Sequence, residues 1–234
     1  MGHIDKGTRA YIFDYGGTLD TGGCHWGKVL WHAYEAEGAP VAEQAFRDAY
    51  VYAERTLGKN PIIQSNYTFR QTLAAKIKIE MEWLEQNGIA GLLAGYHQRV
   101  LDRVYAQTQH HTAHSREVLR QLYGHSPMVL VSNFYGNIAT VLAEFGLDGL
   151  FDSIVESAVV GVRKPDPRIF TLGVEALGLP ADAVTVVGDS IDKDILPARN
   201  AGCQTVWIRG EQWTDAPVDE SVPDRIISDI SELI

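Results

Sequence analysis

The sequence predicts an α/β protein with a doubly wound parallel sheet and an all-helical segment inserted after the first strand. An apolar run over residues 11–13 ends directly at Asp14, as a buried strand would. After residue 128, short apolar runs alternate with helical stretches, the pattern of βαβ units. Residues 22–107 have helical periodicity instead. We therefore expect an α/β core from residues 1–21 and 108–234 and a helical cap domain from residues 22–107.

The predicted core strands are short apolar runs. After the strand that ends at Asp14, we expect further strands over residues 128–131, 153–155, 184–187 and 205–208. Helical faces lie between them, and two of these helices end near Gly146 and Gly178, the residue type that favours helix C-termini. Right-handed crossovers then stack the units into one Rossmann-like sheet.

The strongest helix of the inserted segment is predicted between Asn66 and Gly88. Apolar residues recur there every three or four positions, at Phe69, Leu73, Ile77, Met81 and Leu84. Less regular helical patterns cover residues 27–38, 41–58 and 92–107. We interpret Lys76 and Lys78 as the solvated face of the strongest helix, in preference to a Schiff-base lysine.

Composition narrows the class of protein and its partners. The chain has 234 residues, 45% hydrophobic and 21% charged, which is ordinary for a globular protein. A net charge of −10 argues against nucleic acid or an anionic membrane as the main partner. Residues 1–10 lack the apolar centre of a secretory signal, and Cys24 and Cys203 give no disulfide framework, so we expect a cytoplasmic protein. The oligomeric state stays open.

Four segments carry residues suited to phosphate chemistry. Asp14 is placed at a strand tip, where open α/β sheets bind ligands. Ser132 and the backbone N–H groups that follow it, beginning at Asn133, can hold the oxygens of an anion at another strand tip. Lys164, before a proline-fixed turn, can supply a point charge for phosphate. Residues 188–194 form an acidic cluster at a further strand end.

Together these segments predict a phosphoryl-transfer site. Carboxylates suit Mg²⁺, which leaves positions for water and substrate phosphate. In this interpretation Asp14 attacks, Ser132 and Lys164 hold the transferring group, and Asp189 binds the metal with Asp14. We expect Asp194 to orient a metal-bound water or Lys164, although a helix N-terminus would also explain its charge.

The four motifs, in this order and spacing, resemble the haloacid dehalogenase (HAD) superfamily. The long separation between the first two motifs resembles the C1-type subgroup, in which a helical cap is inserted there. The resemblance implies an aspartyl-phosphate on Asp14, Mg²⁺ dependence, and a mobile cap that closes over a small phosphorylated substrate. It implies that the metal is held by Asp14, the main-chain carbonyl of Gly16, Asp189 and Asp194. It places the phosphate against Gly17, Thr18, Ser132, Asn133 and Lys164.

The chain departs from the family pattern at Gly16. Phosphatases of the family usually have a second Asp there, which protonates the leaving group and later activates water. General acid–base catalysis typically contributes about 10²- to 10⁴-fold, so its loss costs roughly 3 to 5 kcal/mol of barrier. We therefore expect a hydrolase with weak acid–base catalysis, best on good leaving groups.

Two alternatives remain open. Gly16 resembles the small residue of phosphonate-cleaving members, which would require a cap lysine aimed at Asp14. A catalytically impaired pseudoenzyme that binds or senses a phosphate ligand is also compatible with Gly16. Dehalogenation is disfavoured, because that chemistry needs no metal.

Other polar residues have simpler interpretations. We interpret Asp20 as a turn residue in the hinge that leads to the cap, in preference to a replacement for the missing acid. The histidines at 110, 111 and 114 are interpreted as a solvated helix start, because no HExxH pattern accompanies them. Trp26 lies close to the first motif and can pack or touch substrate.

Overall fold

The computed structural model describes residues 10–214 and 216–234. The expectation that the first ten residues form no secretory signal therefore lies almost entirely outside the described part. Within that part, no helix combines the length and apolar character needed to cross a bilayer.

The core is a six-stranded sheet in which every neighbouring pair is parallel. Its strands are β1 (Ala10–Phe13), β2 (Met128–Ser132), β3 (Ser153–Glu156), β4 (Val184–Gly188), β5 (Gln204–Ile208) and β6 (Arg225–Ile227). Their spatial order is β3-β2-β1-β4-β5-β6. The predicted doubly wound α/β sheet is confirmed, and the three-residue edge strand β6 is an addition to it.

Helices fill the long connection between β1 and β2. They are α1 (Trp26–Ala36), α2 (Glu43–Lys59), α3 (Phe69–Gln86), α4 (Leu92–Gly95) and α5 (His97–Leu122). The later helices are α6 (Ile138–Glu144), α7 (Ser157–Val160), α8 (Arg168–Leu177) and α9 (Leu196–Asn200). A π-helical turn over Ile191–Ile195 follows β4.

Helix α3 shows why its sequence signal is the clearest. Thr68 caps its N-terminus and forms a reciprocal capping box with Gln71, which satisfies two otherwise unpaired N–H groups. The predicted apolar residues are all buried on one face of the helix. Capping and periodicity therefore agree on the same element.

Helix α5 differs from the prediction because it runs without a break to Leu122, past the expected end at residue 107. Its inward face changes there from apolar side chains to the small polar residues Thr108, Thr112 and Ser115, which are buried. The Thr112 hydroxyl donates to the Thr108 carbonyl at 2.8 Å, and the Ser115 hydroxyl donates to the Leu19 carbonyl at 2.8 Å. These hydrogen bonds satisfy the buried hydroxyls of Thr112 and Ser115. Because this part of the inward face is polar, hydrophobic periodicity misses the second half of the helix.

The sheet brings the predicted motifs to a common edge. Phe13 of β1 is in register with Leu130 of β2 and with Val187 of β4. Since all three strands are parallel, their carboxyl ends emerge side by side. Ligand sites of open α/β sheets form at that edge.

Candidate active site

Asp14, Ser132 and Asp189 lie at the carboxyl ends of β1, β2 and β4, and all three side chains are buried. They line one cavity of about 580 Å³, together with Gly16 and Lys164. The structure thus brings all four sequence-predicted motifs to one cavity.

Lys164 is the central cation of this cavity. Its Nζ donates to Asp14 Oδ1 at 2.5 Å and to Asp194 Oδ1 at 2.7 Å. Burial alone would lower the pKa of Lys164, but the two carboxylates outweigh it and raise that pKa above its usual range. The lysine therefore stays charged where it meets the strand tip.

Asn133 holds the backbone that carries this lysine. The N–H of Lys164 donates to Asn133 Oδ1 at 2.9 Å, and Asn133 Nδ2 donates to the Lys164 carbonyl at 3.1 Å. The side chain of Asn133 therefore positions the loop that carries Lys164. The predicted phosphate contact of Asn133 would then be made by its backbone N–H.

Thr18 joins the two strand-end carboxylates. Its Oγ1 lies 3.1 Å from Asp14 Oδ2 and 3.3 Å from Asp189 Oδ1, and the side chain is buried. Burial raises the pKa of Asp14 to about 6, against the opposing charge of Lys164. Burial, followed by the charges of Asp194 and Asp14, raises the pKa of Asp189 well above its usual range.

The three carboxylates form a pocket suited to a cation. Single oxygens of Asp14, Asp189 and Asp194 lie within 4.8 Å of one another, and all three residues are buried. Lys164 contributes one positive charge to this group of three carboxylates, so it cannot neutralise all of their negative charge. An oxygen-only, negatively charged donor set of this kind fits a hard divalent cation.

Two glycines make room for the acidic side chains. A Cβ on Gly17 would lie 2.4 Å from the Asp189 carboxylate, and the φ of +103° at Gly17 is itself unfavourable for other residues. A Cβ on Gly188 would lie 2.4 Å from the Cβ of Asp194. The N–H of Gly17 donates to Asp20 Oδ1 at 2.7 Å, so the predicted phosphate contact of Gly17 would compete with this hydrogen bond.

Asp20 occupies the predicted turn but is not a solvent-facing hinge residue. It is 1% exposed and lines the cavity beside Gly16. Its Oδ2 accepts a hydrogen bond from Trp26 Nε1 at 3.2 Å. Burial raises the pKa of Asp20 well above its usual range.

The interpretation of Lys76 as a solvated residue is wrong. Lys76 is 8% exposed and lines the cavity, its Nζ donates to Glu54 Oε1, and it lies 4.2 Å from the centroid of the Tyr50 ring. Lys78 is exposed as predicted, with its Nζ 3.6 Å from Glu82. Lys76 is buried because its partner comes from α2, and helical periodicity does not reveal contacts between helices.

Aromatic side chains form part of the cavity wall, and sequence reasoning identified only Trp26 among them. The wall includes Trp26, Tyr50, Phe69, Phe134 and Tyr135. Their positions in the sequence follow no motif, so only the fold brings them together.

The three histidines lie inside α5, so their interpretation as a helix start is wrong. His114 Nε2 lies 2.9 Å from Asp229 Oδ1 at the surface. Over residues 10–214 and 216–234, the potential metal ligands that cluster are Asp14, Asp189 and Asp194, without these histidines.

Residues 8–202 of the chain match the protein family described as haloacid dehalogenase-like hydrolase. Among characterised proteins, glyceraldehyde 3-phosphate phosphatase of Methanopyrus kandleri is 38% identical over 95 residues, covering 40% of this chain and 41% of that protein. Phosphoserine phosphatase of Thermus thermophilus is 37% identical over 89 residues, covering 38% of this chain and 34% of that protein. Pyrimidine 5'-nucleotidase YjjG of Escherichia coli is 36% identical over 93 residues, covering 39% of this chain and 41% of that protein. These matches span about two fifths or less of each relative.

Solved structures resemble the chain over almost its whole length. A dehalogenase with an intermediate complex has a TM-score of 0.62 at 20% identity, covering 98% of this chain and 97% of that chain. A HAD phosphatase from Thermococcus onnurineus has a TM-score of 0.54 at 19% identity, covering 97% and 96%. At these identities the likeness concerns the fold alone. The family match covers most of the sequence and agrees with this fold, so this chain belongs to the haloacid dehalogenase-like hydrolases.

Proposed function

We propose that this chain is a Mg²⁺-dependent phosphatase that acts on a small phosphorylated metabolite through an aspartyl-phosphate on Asp14. The observation that carries the proposal is the arrangement around Asp14: a buried carboxylate at a strand tip, contacted by Lys164 and grouped with Asp189 and Asp194. The proposed roles of all site residues follow from this arrangement.

In the first step, an Asp14 carboxylate oxygen attacks phosphorus, and the bond from phosphorus to the leaving oxygen breaks. Lys164 and the Ser132 hydroxyl bind the phosphoryl oxygens as charge builds up on them. In the second step, water attacks the phosphorus of the aspartyl-phosphate, the bond from phosphorus to the Asp14 oxygen breaks, and a proton of the water stays with the released phosphate, which regenerates the Asp14 carboxylate. Each bond that forms is balanced by one that breaks.

A divalent ion would be held by Asp14, the Gly16 carbonyl and Asp189, and Asp194, which accepts a hydrogen bond from Lys164, would complete the site by orienting Lys164 or a metal-bound water. When bound, the ion would offset the repulsion between these carboxylates and the anionic substrate. Mg²⁺ suits a donor set made only of oxygens. Lys164 and Ser132 would then position the phosphate for transfer.

Gly16 sets the preference for leaving groups in this proposal. With no carboxyl group at position 16, a leaving group that departs as a weak base is favoured, because it needs little protonation. Acyl and aryl phosphates belong to this class.

The helices over residues 22–107 are proposed to form a C1-type cap above the site. The cavity lining supports this proposal, because α2 and α3 contribute Glu54 and Lys76 to it and the core contributes Asp14 and Lys164. Relatives named for glyceraldehyde 3-phosphate and phosphoserine support a small phosphorylated substrate.

The phosphonate-cleaving alternative gains less support. It needs a cap lysine aimed at Asp14, and two lysines of residues 22–107, Lys59 and Lys76, line the cavity. Burial would lower the pKa of Lys76, but the Glu54 carboxylate outweighs it and raises that pKa above its usual range, so the amine stays charged. The pseudoenzyme alternative rests on Gly16 alone.

The test is release of phosphate from acetyl phosphate and p-nitrophenyl phosphate, with Mg²⁺ and with EDTA. We expect Mg²⁺-dependent turnover that falls at least about 10³-fold in Asp14→Asn, since the nucleophile is lost. The matched control is Asp192→Asn, because Asp192 is an exposed carboxylate in the turn after β4. Turnover that survives in Asp14→Asn, or no Mg²⁺-dependent turnover of either substrate, would overturn the proposal.

A further inference from the structure

The cavity wall holds two lysines, Lys76 and Lys193, and the carboxylate of Glu54, which pairs with Lys76. Lys76 lies on α3, Glu54 on α2 and Lys193 in the turn after β4, and all three residues line the cavity. Burial opposes ionisation of Glu54, but the charge of Lys76 and the hydrogen bonds from Lys76 and Tyr135, with a smaller effect of Lys193, bring the pKa of Glu54 below its usual value. Glu54 is therefore ionised and paired with Lys76.

His25 also lines the cavity, but it contributes no charge to the group of Lys76, Lys193 and Glu54. Burial, together with Lys193 and Lys76, lowers the pKa of His25 to about 4, so this imidazole is neutral near pH 7. The group formed by Lys76, Lys193 and Glu54 then carries a net charge of +1. One negative charge from a ligand would balance it.

Lys76 is held in place and still has donors to offer. Its Nζ donates to Glu54 and lies over the Tyr50 ring, so the ammonium is fixed against the wall. An ammonium has three N–H donors, and the hydrogen bond to Glu54 uses one of them. Lys76 can therefore bind a further oxygen without giving up its partner.

A tyrosine from the core completes the group. Tyr135 follows β2, and its hydroxyl donates to Glu54 Oε1 at 3.2 Å. Glu54 thus accepts from a helix of the inserted segment and from the core at the same oxygen. This fixes the position of the group relative to the strand tips.

We propose that Lys76, with Lys193, binds a second anionic group of the substrate while the Asp14 end of the cavity takes the phosphate that is transferred. The substrate class is a small phosphomonoester that carries a further carboxylate or phosphate. The inference rests on the proposed function, since it assigns the rest of the substrate to the same cavity.

The experiment measures binding by calorimetry with Mg²⁺ present, using phosphonates that do not need to be turned over. The probes are 3-phosphonopropionate, propane-1,3-bisphosphonate and propylphosphonate, which carry, beside the first phosphonate, a carboxylate, a second phosphonate or no second anionic group. We expect the wild type to bind at least one of the two probes with a second anionic group about tenfold or more tightly than propylphosphonate. The tighter of the two identifies the second group as carboxylate or phosphate.

Lys76→Met should remove this preference and leave propylphosphonate binding within about threefold, because a hydrogen bond to a charged group is lost. Lys78→Met is the matched control on the same helix and should keep the preference. Glu54→Gln should strengthen binding of the probes with a second anionic group, since it removes the competing charge, whereas damage to the fold would weaken binding of all probes.

The subsite is wrong if the wild type shows no preference, or if Lys76→Met weakens all probes equally. Turnover of p-nitrophenyl phosphate by the same samples separates this failure from that of the proposed function. Turnover without a binding preference rejects the subsite alone, and a preference without turnover rejects the phosphatase and keeps the subsite.

Discussion

A single glycine determines how closely an acidic side chain can approach the end of the sheet. Gly188 ends β4, and the side chain of Asp194 lies directly over it, as close as 2.4 Å to where a Cβ would be. Asp194 in turn accepts a hydrogen bond from the N–H of Ser190 at 3.1 Å. The acidic cluster therefore depends on a missing side chain as much as on the carboxylates themselves.

Gly188→Ala should displace Asp194 and weaken the cation pocket. We expect Mg²⁺-dependent turnover of p-nitrophenyl phosphate to fall about 10²-fold, because misplacement of about 1 Å is costly in an active site. A Mg²⁺ titration of the rate should show weaker apparent affinity.

The control for this substitution is Gly95→Ala, where an added Cβ meets no atom within 4 Å. Turnover of that variant should stay within about twofold of the wild type. Unchanged Mg²⁺ affinity in Gly188→Ala would contradict the role given to the backbone approach.

At the residue scale, the sequence predicted the side chains that belong to a local motif. Asp14, Ser132, Lys164 and Asp189 each end an apolar run or lie in the loop after one, and all four line the cavity. Lys76 could not be placed in this way. Its burial depends on a carboxylate 22 positions earlier, on another helix.

At the element scale, α3 buries a carboxyl group in the helical segment. Glu80 is fully buried, it accepts a hydrogen bond from the Tyr34 hydroxyl at 3.2 Å, and its Oε1 has no partner among the described residues. Burial raises the pKa of Glu80 to about 7, although Lys76 and the Tyr34 hydrogen bond act to lower it and Glu54 acts to raise it.

Glu80 should make the stability of the protein depend on pH. Its pKa in the folded chain is raised above the unfolded value, so the protonated form favours folding. The free energy of unfolding should fall as the pH rises from about 4.5 to about 7, by roughly 3 kcal/mol, and its contribution should level off above that. Urea denaturation at several pH values measures this.

Glu80→Gln should lose that part of the pH dependence. Glu82→Gln is the matched control, because Glu82 is a partly exposed carboxylate on the same helix, paired with Lys78. Equal pH dependence in Glu80→Gln and the wild type would show that Glu80 is ionised in the folded protein.

The sequence predicted elements well where capping, periodicity and burial agree. Helix α3 has all three signals, and the central strands are continuous apolar runs. Helix α5 was predicted too short because Thr108 and Thr112 are buried as polar residues. Strand β6 was missed because three residues are too few for a pattern.

At the scale of the whole molecule, polar contacts hold the helical segment against the core. Asn137 Nδ2, at the start of α6, donates to Thr72 Oγ1 at 2.8 Å, and Tyr105 donates to Glu144 Oε1 at 2.8 Å. Both contacts join α3 or α5 to the loop and helix after β2. The aromatic wall and the charged group around Glu54 depend on this placement, which no single segment of sequence determines.

The central claim is that the nucleophile and cation pocket are intact and that the proton-transfer group at position 16 is missing. Space for that group exists, because a Cβ on Gly16 would lie 3.6 Å from Trp26 Nε1, an ordinary contact distance. The backbone at position 16 therefore leaves room for the Cβ of an introduced aspartate.

The most direct test is the dependence of kcat/KM on the leaving-group pKa, over a series from aryl to alkyl phosphates with Mg²⁺ present. We predict a steep fall for the wild type as the leaving group becomes more basic, and a flatter dependence for Gly16→Asp. The gain on alkyl phosphates should be about 10²- to 10⁴-fold, the usual contribution of general acid–base catalysis. A wild type that hydrolyses alkyl and aryl phosphates equally well would contradict the account.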